Sequence, residues 1–205
     1  MISSNPFVGI AGNIGVGKTT FTKLLAERYN WEEYYESVID NPYLSDFYGN
    51  MNRWSFNLQI YFLQHRFASQ VEISNNNSGV IQDRTIYEDV EIFARNLHEL
   101  GHMSDRDWKT YRNLFSNMVQ FLDKPDIIIY LKASTDTLIS RIKTRNRDFE
   151  KNIDPEYLYQ LNNAYNTWAK NEKSLKILTI DTNNFNVFKD KEKLEYTYKI
   201  IEDSL

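Results

Sequence analysis

The chain has 205 residues, 41% hydrophobic and 25% charged, with a formal net charge of −4 and no cysteine. This length and mix suit one globular domain, 1–205, large enough to bury a full sheet between helices. Disulfides and thiolate metal sites are excluded outright, and the acidic balance argues against binding a nucleic-acid polymer, which calls for a basic surface.

The stretch MISSNPFVGIAG lacks a basic segment followed by an apolar one, so it does not read as a signal peptide. The apolar run IIIYL at 127–131 is far too short to span a bilayer. A cytoplasmic protein with no membrane partner is expected. FVGIA (7–11) is a short apolar run closing on glycines, as a buried strand does. KTTFTKLLAERY (18–29) follows, with Phe21, Leu24, Leu25 and Arg28 at helical spacing. EYYES (33–37) and GVIQD (79–83) are the next strands, and DIIIYLKA (126–133) and LKILTID (175–181) read as strands buried on both faces. Helical patterns fill 52–74, 85–99, 104–122, 135–145, 155–170 and 188–203. Asp154-Pro155 supplies an N-cap acceptor and a proline where no amide donor is needed. No repeat and no Gly-, Pro- or Ser-rich linker divides the chain. Strands alternating with helices predict an α/β fold whose parallel sheet is covered on both faces.

Two motifs propose incompatible chemistries. HELGH (98–102) fits the H-E-x-x-H pattern of zinc peptidases, and GNIGVGKTT (12–20) fits a phosphate-binding loop. Context separates them. The zinc motif works in mid-helix, where both imidazoles leave one face, and it needs a third ligand. Here Gly101 interrupts it, and Ser104 and Asp107 are spaced as an N-cap signal for the next helix. No glutamate lies between Glu99 and Glu150, and no histidine follows His102. His98 and His102 are expected as solvated turn residues.

The phosphate loop has the context it requires, between a strand and a helix. Of the seven glycines, Gly9, Gly12, Gly15 and Gly17 cluster here. Positions without side chains let backbone amides turn inward around an anion, and the following helix adds its positive dipole end. Lys18 is expected at the β- and γ-phosphates and the Thr19 hydroxyl on Mg²⁺. Asn13, Ile14, Val16 and Thr20 complete the nucleotide-binding loop. A phosphate loop alone does not fix function. The guanine-reading Asn-Lys-x-Asp element is absent, and a short chain with one sheet suits a kinase whose acceptor is a small molecule.

GNIGVGKTT, YESVIDNPYL, FYGNMNRWSFNLQIYFLQHRF, DRTIYED and RIKTRNRDFE occur in this order. With LTIDTNNF near the end, they resemble the deoxyribonucleoside kinase family from residue 7 across nearly the whole chain. The resemblance implies a P-loop kinase with a five-stranded parallel sheet, flanked by helices on both faces. It implies ATP and Mg²⁺ as cofactors. The reaction implied is 5′-phosphorylation of deoxyribonucleosides in nucleotide salvage, with deoxyadenosine favoured and deoxyguanosine and deoxycytidine accepted. A homodimer and inhibition by an end-product deoxynucleoside triphosphate are implied as well.

Site roles follow from the same resemblance. A sugar hydroxyl is a poor nucleophile and benefits from a base at hydrogen-bond distance. Glu36, at the end of the second strand, matches that base. Lys18, Arg84 and the lid arginines would stabilise the transferring charge, Arg84 at the 5′ end of the acceptor. Gln59, Phe62 and Arg66 share one helix face at i, i+3, i+7. Gln59 would read the nucleobase through its amide, Phe62 would stack or pack, and Arg66 would pair with Asp89, a pair that disfavours thymidine. Asp83 would help Thr19 hold Mg²⁺. Tyr48 and Glu150 would hold the sugar 3′-hydroxyl, with Tyr48 opposing a 2′-hydroxyl. Arg141, Arg145 and Arg147 would form an Arg-rich lid near 141–150, and DTNNF (181–185), ending in Phe185, would cover the ATP adenine. Ser37, where many relatives carry proline, and Thr85, where serine is common, depart from the pattern. Without the resemblance, Gln59 and Arg66 read as a solvated helix face. Two alternatives stay open: a nucleoside monophosphate kinase such as a thymidylate kinase, and a non-catalytic module gated by ATP.

Overall fold

The structure, a computed structural model, describes residues 5–35, 41–147, 150 and 153–205. Strands β1 (Phe7–Ala11), β2 (Glu32–Tyr34), β3 (Val80–Asp83), β4 (Ile127–Lys132) and β5 (Ile177–Asp181) form one sheet in the order β2-β3-β1-β4-β5. Every neighbouring pair is parallel. The expected five-stranded parallel sheet is the observed one.

Strand β4 shows why helices cover both faces. Ile127, Ile129 and Leu131 join one core with Val8, Ile10, Phe21 and Leu25, while Ile128 and Tyr130 join another with Leu161 and Tyr165. Successive strand side chains point to opposite faces, so an unbroken apolar run fills two cores at once. Helices α1 (Lys18–Tyr29) and α9 (Lys191–Ser204) contribute to the first core. Helices α2 (Leu44–Gly49), α3 (Met51–Ser74), α6 (Asp105–Met118) and α8 (Pro155–Asn171) contribute to the second. α7 (Thr135–Arg145) gives Leu138 to one and Ile142 to the other.

Several boundaries differ from expectation. The 85–99 helix is not uniform: α4 (Ile86–Glu88) leads into a π-helical segment (Asp89–Ala94) before α5 (Arg95–Glu99). A π segment carries one extra residue per turn and often marks a functional site; this one brings Asp89 and Phe93 to a cavity wall. Helix α2 has too few residues to announce itself by periodicity. The expected strand 33–37 is observed as Glu32–Tyr34, an edge strand whose pairing with β3 stops at Tyr34 opposite Gln82; Glu36 and Ser37 lie outside the described residues. The 104–122 helix ends at Met118, followed by a 3₁₀ turn over Val119–Phe121. α9 starts at Lys191 and not at 188, because the Asn186 amide donates to Asp190 Oδ2 at 2.7 Å and closes a turn first.

His98 sits in the last turn of α5 with Nε2 2.8 Å from Asp105 Oδ1, and His102 follows the helix with Nδ1 2.6 Å from Asn52 Oδ1. The two imidazoles engage different partners. No helix among the described residues is long and apolar enough to cross a membrane.

Candidate active site

Ile10 and Asp83 are partners across β1 and β3. The carboxyl ends of these strands therefore open side by side, with the phosphate loop after one and Arg84 after the other. β3 and β4 flank β1 on opposite sides. In parallel α/β sheets, ligands bind at the carboxyl edge where successive connections diverge in this way.

The loop turns at Gly12, Gly15 and Gly17, with φ of +147°, +82° and +104°. Lys18 Nζ donates to Gly12 O at 2.9 Å and to Asn13 O at 3.2 Å. α1 has no acidic residue in its first turn, so its positive dipole end is uncompensated by a side chain. Thr19 Oγ1 donates to Asp83 Oδ2 at 2.7 Å. A hydroxyl and a carboxylate beside an anion cradle are hard oxygen donors that fit Mg²⁺. Asn13 turns inward: its Nδ2 donates to Leu158 O at 2.9 Å and to Asn162 Oδ1 at 3.3 Å, tying the loop to α8.

Arg84 adopts the left-handed φ of +71°, which costs a residue with a Cβ about 1–2 kcal/mol. Its surroundings hold it there. Its amide donates to Ile10 O at 2.9 Å, its Nη1 donates to Tyr165 Oη at 2.7 Å, and the guanidinium lies 4.3 Å from the Phe93 ring centroid. Glu88, fully buried, accepts from the amides of Gly12 at 3.2 Å and Thr85 at 3.0 Å and from the Tyr165 hydroxyl at 2.5 Å. Its carboxylate also lies 3.7 Å from Arg84 Nη1. Burial pushes the Tyr165 phenol well above its ordinary pKa against the pull of Arg84, so it stays a proton donor. The sequence signal for Glu88 is the capping-box spacing Thr85-x-x-Glu88, which announces the contact to Thr85 but not the reach to Gly12. Tyr165 carries no sequence signal of this role.

Two cavities open on this edge. The smaller, of 240 Å³, is walled by Phe47 and Tyr48 of α2, Leu58, Gln59 and Phe62 of α3, Asp89 and Phe93, Glu150, and Tyr157 of α8. The larger, of 830 Å³, is walled by Gly15, Val16, Gly17, Thr20, Arg141, Thr182, Asn183 and Phe185. Lys18, Thr19, Arg145 and Arg147 line both.

Gln59 is 2% exposed, and its Oε1 has no hydrogen-bond partner among the described residues. Arg66 stands behind Asp89, not in the cavity wall: its Nε donates to Asp89 Oδ2 at 3.3 Å and its Nη1 to Asp83 O at 3.1 Å. Arg145 grips Glu150, donating from Nε at 3.1 Å and from Nη2 at 2.6 Å, with Arg147 Nη1 3.8 Å away. Arg141 faces the larger cavity only and donates to Val16 O at 2.9 Å and Thr182 O at 2.5 Å; burial lowers its pKa. Phe185 is buried beneath Lys193 Nζ, 4.9 Å from its ring centroid. Of the loop residues, Ile14 lines the smaller cavity, while Gly12 and Asn13 line neither. Glu36 lies outside the described residues, next to Tyr35, which lines the smaller cavity.

A family model described as deoxynucleoside kinase matches residues 8–203. The chain is 42% identical over 199 residues to the deoxyadenosine kinase of Dictyostelium discoideum, covering 97% of this chain and 80% of that protein. It is 38% identical over 196 residues to the deoxyadenosine/deoxycytidine kinase of Bacillus subtilis (strain 168), covering 95% and 90% respectively. The structure of deoxyadenosine kinase from M. mycoides with bound dATP matches with a TM-score of 0.82 at 30% identity, covering 95% of this chain and 100% of that one.

Proposed function

Because the chain belongs to the deoxynucleoside kinase family, we propose that it moves the γ-phosphoryl group of ATP to the 5′-hydroxyl of deoxyribonucleosides, deoxyadenosine first, then deoxyguanosine and deoxycytidine. One observation carries the reading: Lys18, Thr19, Arg145 and Arg147 form a wall common to both cavities. A triphosphate in the larger cavity and a nucleoside in the smaller one meet at that wall.

Phosphoryl transfer asks the protein chiefly for positioning and charge stabilisation. The 5′-oxygen bonds to the γ-phosphorus, the bond to the ADP oxygen breaks, and the hydroxyl proton goes to Glu36. Lys18, Arg84, Arg145 and Arg147 face the charge that develops. Thr19 and Asp83 would hold Mg²⁺, which neutralises phosphate charge when bound. Arg141 and Phe185 enclose the donor nucleotide, with the loop from Gly12 to Thr20 around its phosphates. Gln59 reads the base, Phe62 packs on it, and Arg66 acts by holding Asp89. Tyr48 and Glu150 take the 3′-hydroxyl. In this reading the chain acts as one domain, with Arg141, Arg145, Arg147 and Glu150 in its lid. Inhibition by an end-product triphosphate and a homodimer belong to the same reading; the dATP bound by the M. mycoides enzyme supports the first.

A nucleoside monophosphate kinase needs cations for an acceptor phosphate. Here Arg66, behind the wall of the smaller cavity, is already matched by Asp89, which favours an uncharged acceptor. ADP release with ATP, Mg²⁺ and each deoxynucleoside, against thymidine monophosphate, tests the proposal. Turnover with deoxyadenosine and none with the monophosphate is expected; ATP binding without transfer to any deoxynucleoside overturns it. Glu36→Ala is expected to lose on the order of 10²–10⁴-fold in kcat while retaining nucleoside binding.

A further inference from the structure

Glu88 is used by none of the roles above, yet among the described residues it is the most completely enclosed carboxylate at the site. A carboxylate taken out of water costs several kcal/mol unless its oxygens are met by donors. Oε1 receives the Thr85 amide, Oε2 receives the Gly12 amide and the Tyr165 hydroxyl, and Arg84 Nη1 lies 3.7 Å from Oε2. Capping a helix start requires only the Thr85 contact. The other three reach the first glycine of the phosphate loop, Tyr165 of α8 and the arginine that follows β3.

Gly12 is clasped from both sides. Its amide goes to Glu88, and its carbonyl accepts from Lys18 Nζ at 2.9 Å and from Arg84 Nη2 at 3.5 Å. Two cations that face the transferring phosphate in the proposed function thus touch one residue that a buried carboxylate anchors through its amide. Tyr165 closes the circuit, donating to Glu88 and accepting from Arg84 Nη1 at 2.7 Å. The same helix fixes the next loop residue, Asn13, through Leu158 and Asn162.

We propose that Glu88, braced by Tyr165, is a positioning residue for phosphoryl transfer: it sets the distance between the phosphate loop with Lys18 and the guanidinium of Arg84. It touches neither substrate and acts through those two groups. The inference rests on the kinase reading above. Displacing a catalytic group by an ångström costs about 10²-fold in rate. The loss falls chiefly on kcat, because Arg84 and Lys18 flank the γ-phosphoryl group, whose charge is redistributed during transfer.

Steady-state kinetics with ATP and deoxyadenosine on wild type, Glu88→Gln and Tyr165→Phe test it, with thermal unfolding measured alongside. Absent wild-type turnover would remove the kinase reading itself; an active wild type leaves the decision to the variants. Glu88→Gln is expected to lose about 10- to 100-fold in kcat, and Tyr165→Phe less, with the deoxyadenosine KM of both within about twofold of wild type. Folded variants with wild-type kcat overturn the proposal. So does a joint loss of kcat, KM and melting temperature, which is the signature of a purely architectural glutamate. Should Glu88→Gln fail to fold, Tyr165→Phe, which removes a single hydroxyl, decides alone.

Discussion

Replacing Gln59 by methionine separates binding from stability, because the two are expected to move in opposite directions. The Gln59 carbonyl is buried and without a partner among the described residues. An unmet buried acceptor costs about 1–3 kcal/mol, and replacing it with an apolar side chain of similar shape removes that penalty. Methionine keeps the unbranched length, so the nucleoside-free variant is expected to gain about 1 kcal/mol. For a chain of 205 residues, that raises Tm by about 2–4 °C. Deoxyadenosine then meets a thioether where it had an amide, and its base edge is buried with a donor and an acceptor unpaired. The loss of about 1–3 kcal/mol lowers kcat/KM by about 5- to 140-fold, since each 1.4 kcal/mol is tenfold. Thermal unfolding without nucleoside and kinetics with deoxyadenosine read the two arms. An unchanged kcat/KM refutes base reading by Gln59. A lowered Tm refutes the unmet carbonyl.

Other consequences are open to measurement. A Cβ on Gly15 would lie 2.6 Å from Ile142 Cγ1 and 3.1 Å from Leu138 O at φ +82°, whereas Gly17 has φ +104° and open space. Gly17→Ala is therefore expected to cost about 1–2 kcal/mol in urea unfolding, and Gly15→Ala about 1–3 kcal/mol more; equal losses would contradict this packing. Thr19→Val keeps the shape but deletes the hydroxyl beside Asp83, and is expected to raise the half-saturating Mg²⁺ concentration about tenfold or more, the value of one hydrogen bond to a charged group; an unchanged Mg²⁺ titration removes Thr19 from the metal site. Burial holds the phenols of Tyr111, Tyr157 and Tyr165 far above their ordinary pKa. Unfolded tyrosines lose their protons near pH 10 while these keep theirs, so stability is intact below that pH and falls above it. The slope is about 1.4 kcal/mol per pH unit for each, and about 4 together. Chemical denaturation at pH 9 and pH 11.5 reads it, and equal stabilities would mean that these phenols ionise freely in the folded state.

Strand β1 and helix α1 match the expected bounds, 7–11 and 18–29, to the residue. Their signals are local: an apolar run, a glycine turn, a helical repeat. Helix α3 was legible as a helix but not by its orientation. Its buried residues include Ser55, Gln59, Arg66 and Gln70 beside Leu58 and Leu63. A stripe half polar and half apolar does not tell inside from outside, so hydrophobic pattern alone turns Gln59 and Arg66 outward. The π segment escapes for a related reason. Its sequence, DVEIFA, suits any helix, and the extra residue per turn leaves no mark on composition.

What the local pattern omits is sheet order, and most of the site depends on it. Glu88 is 76 positions from Gly12, and Arg84 is 81 from Tyr165. Those contacts exist because β3 pairs with β1 in the register that sets Asp83 beside Ile10. In another sheet order Glu88 would remain the capping residue of α4 and nothing more. The polar residues that periodicity misplaces are the ones this order brings to the carboxyl edge, and sites are where local rules are expected to yield to tertiary demands. A buried polar residue on an otherwise helical pattern is thus better evidence of a site than of a misread helix, provided the strand order brings it a partner of opposite character. Arg66 has Asp89, and Gln59 has an open cavity facing a phosphate loop.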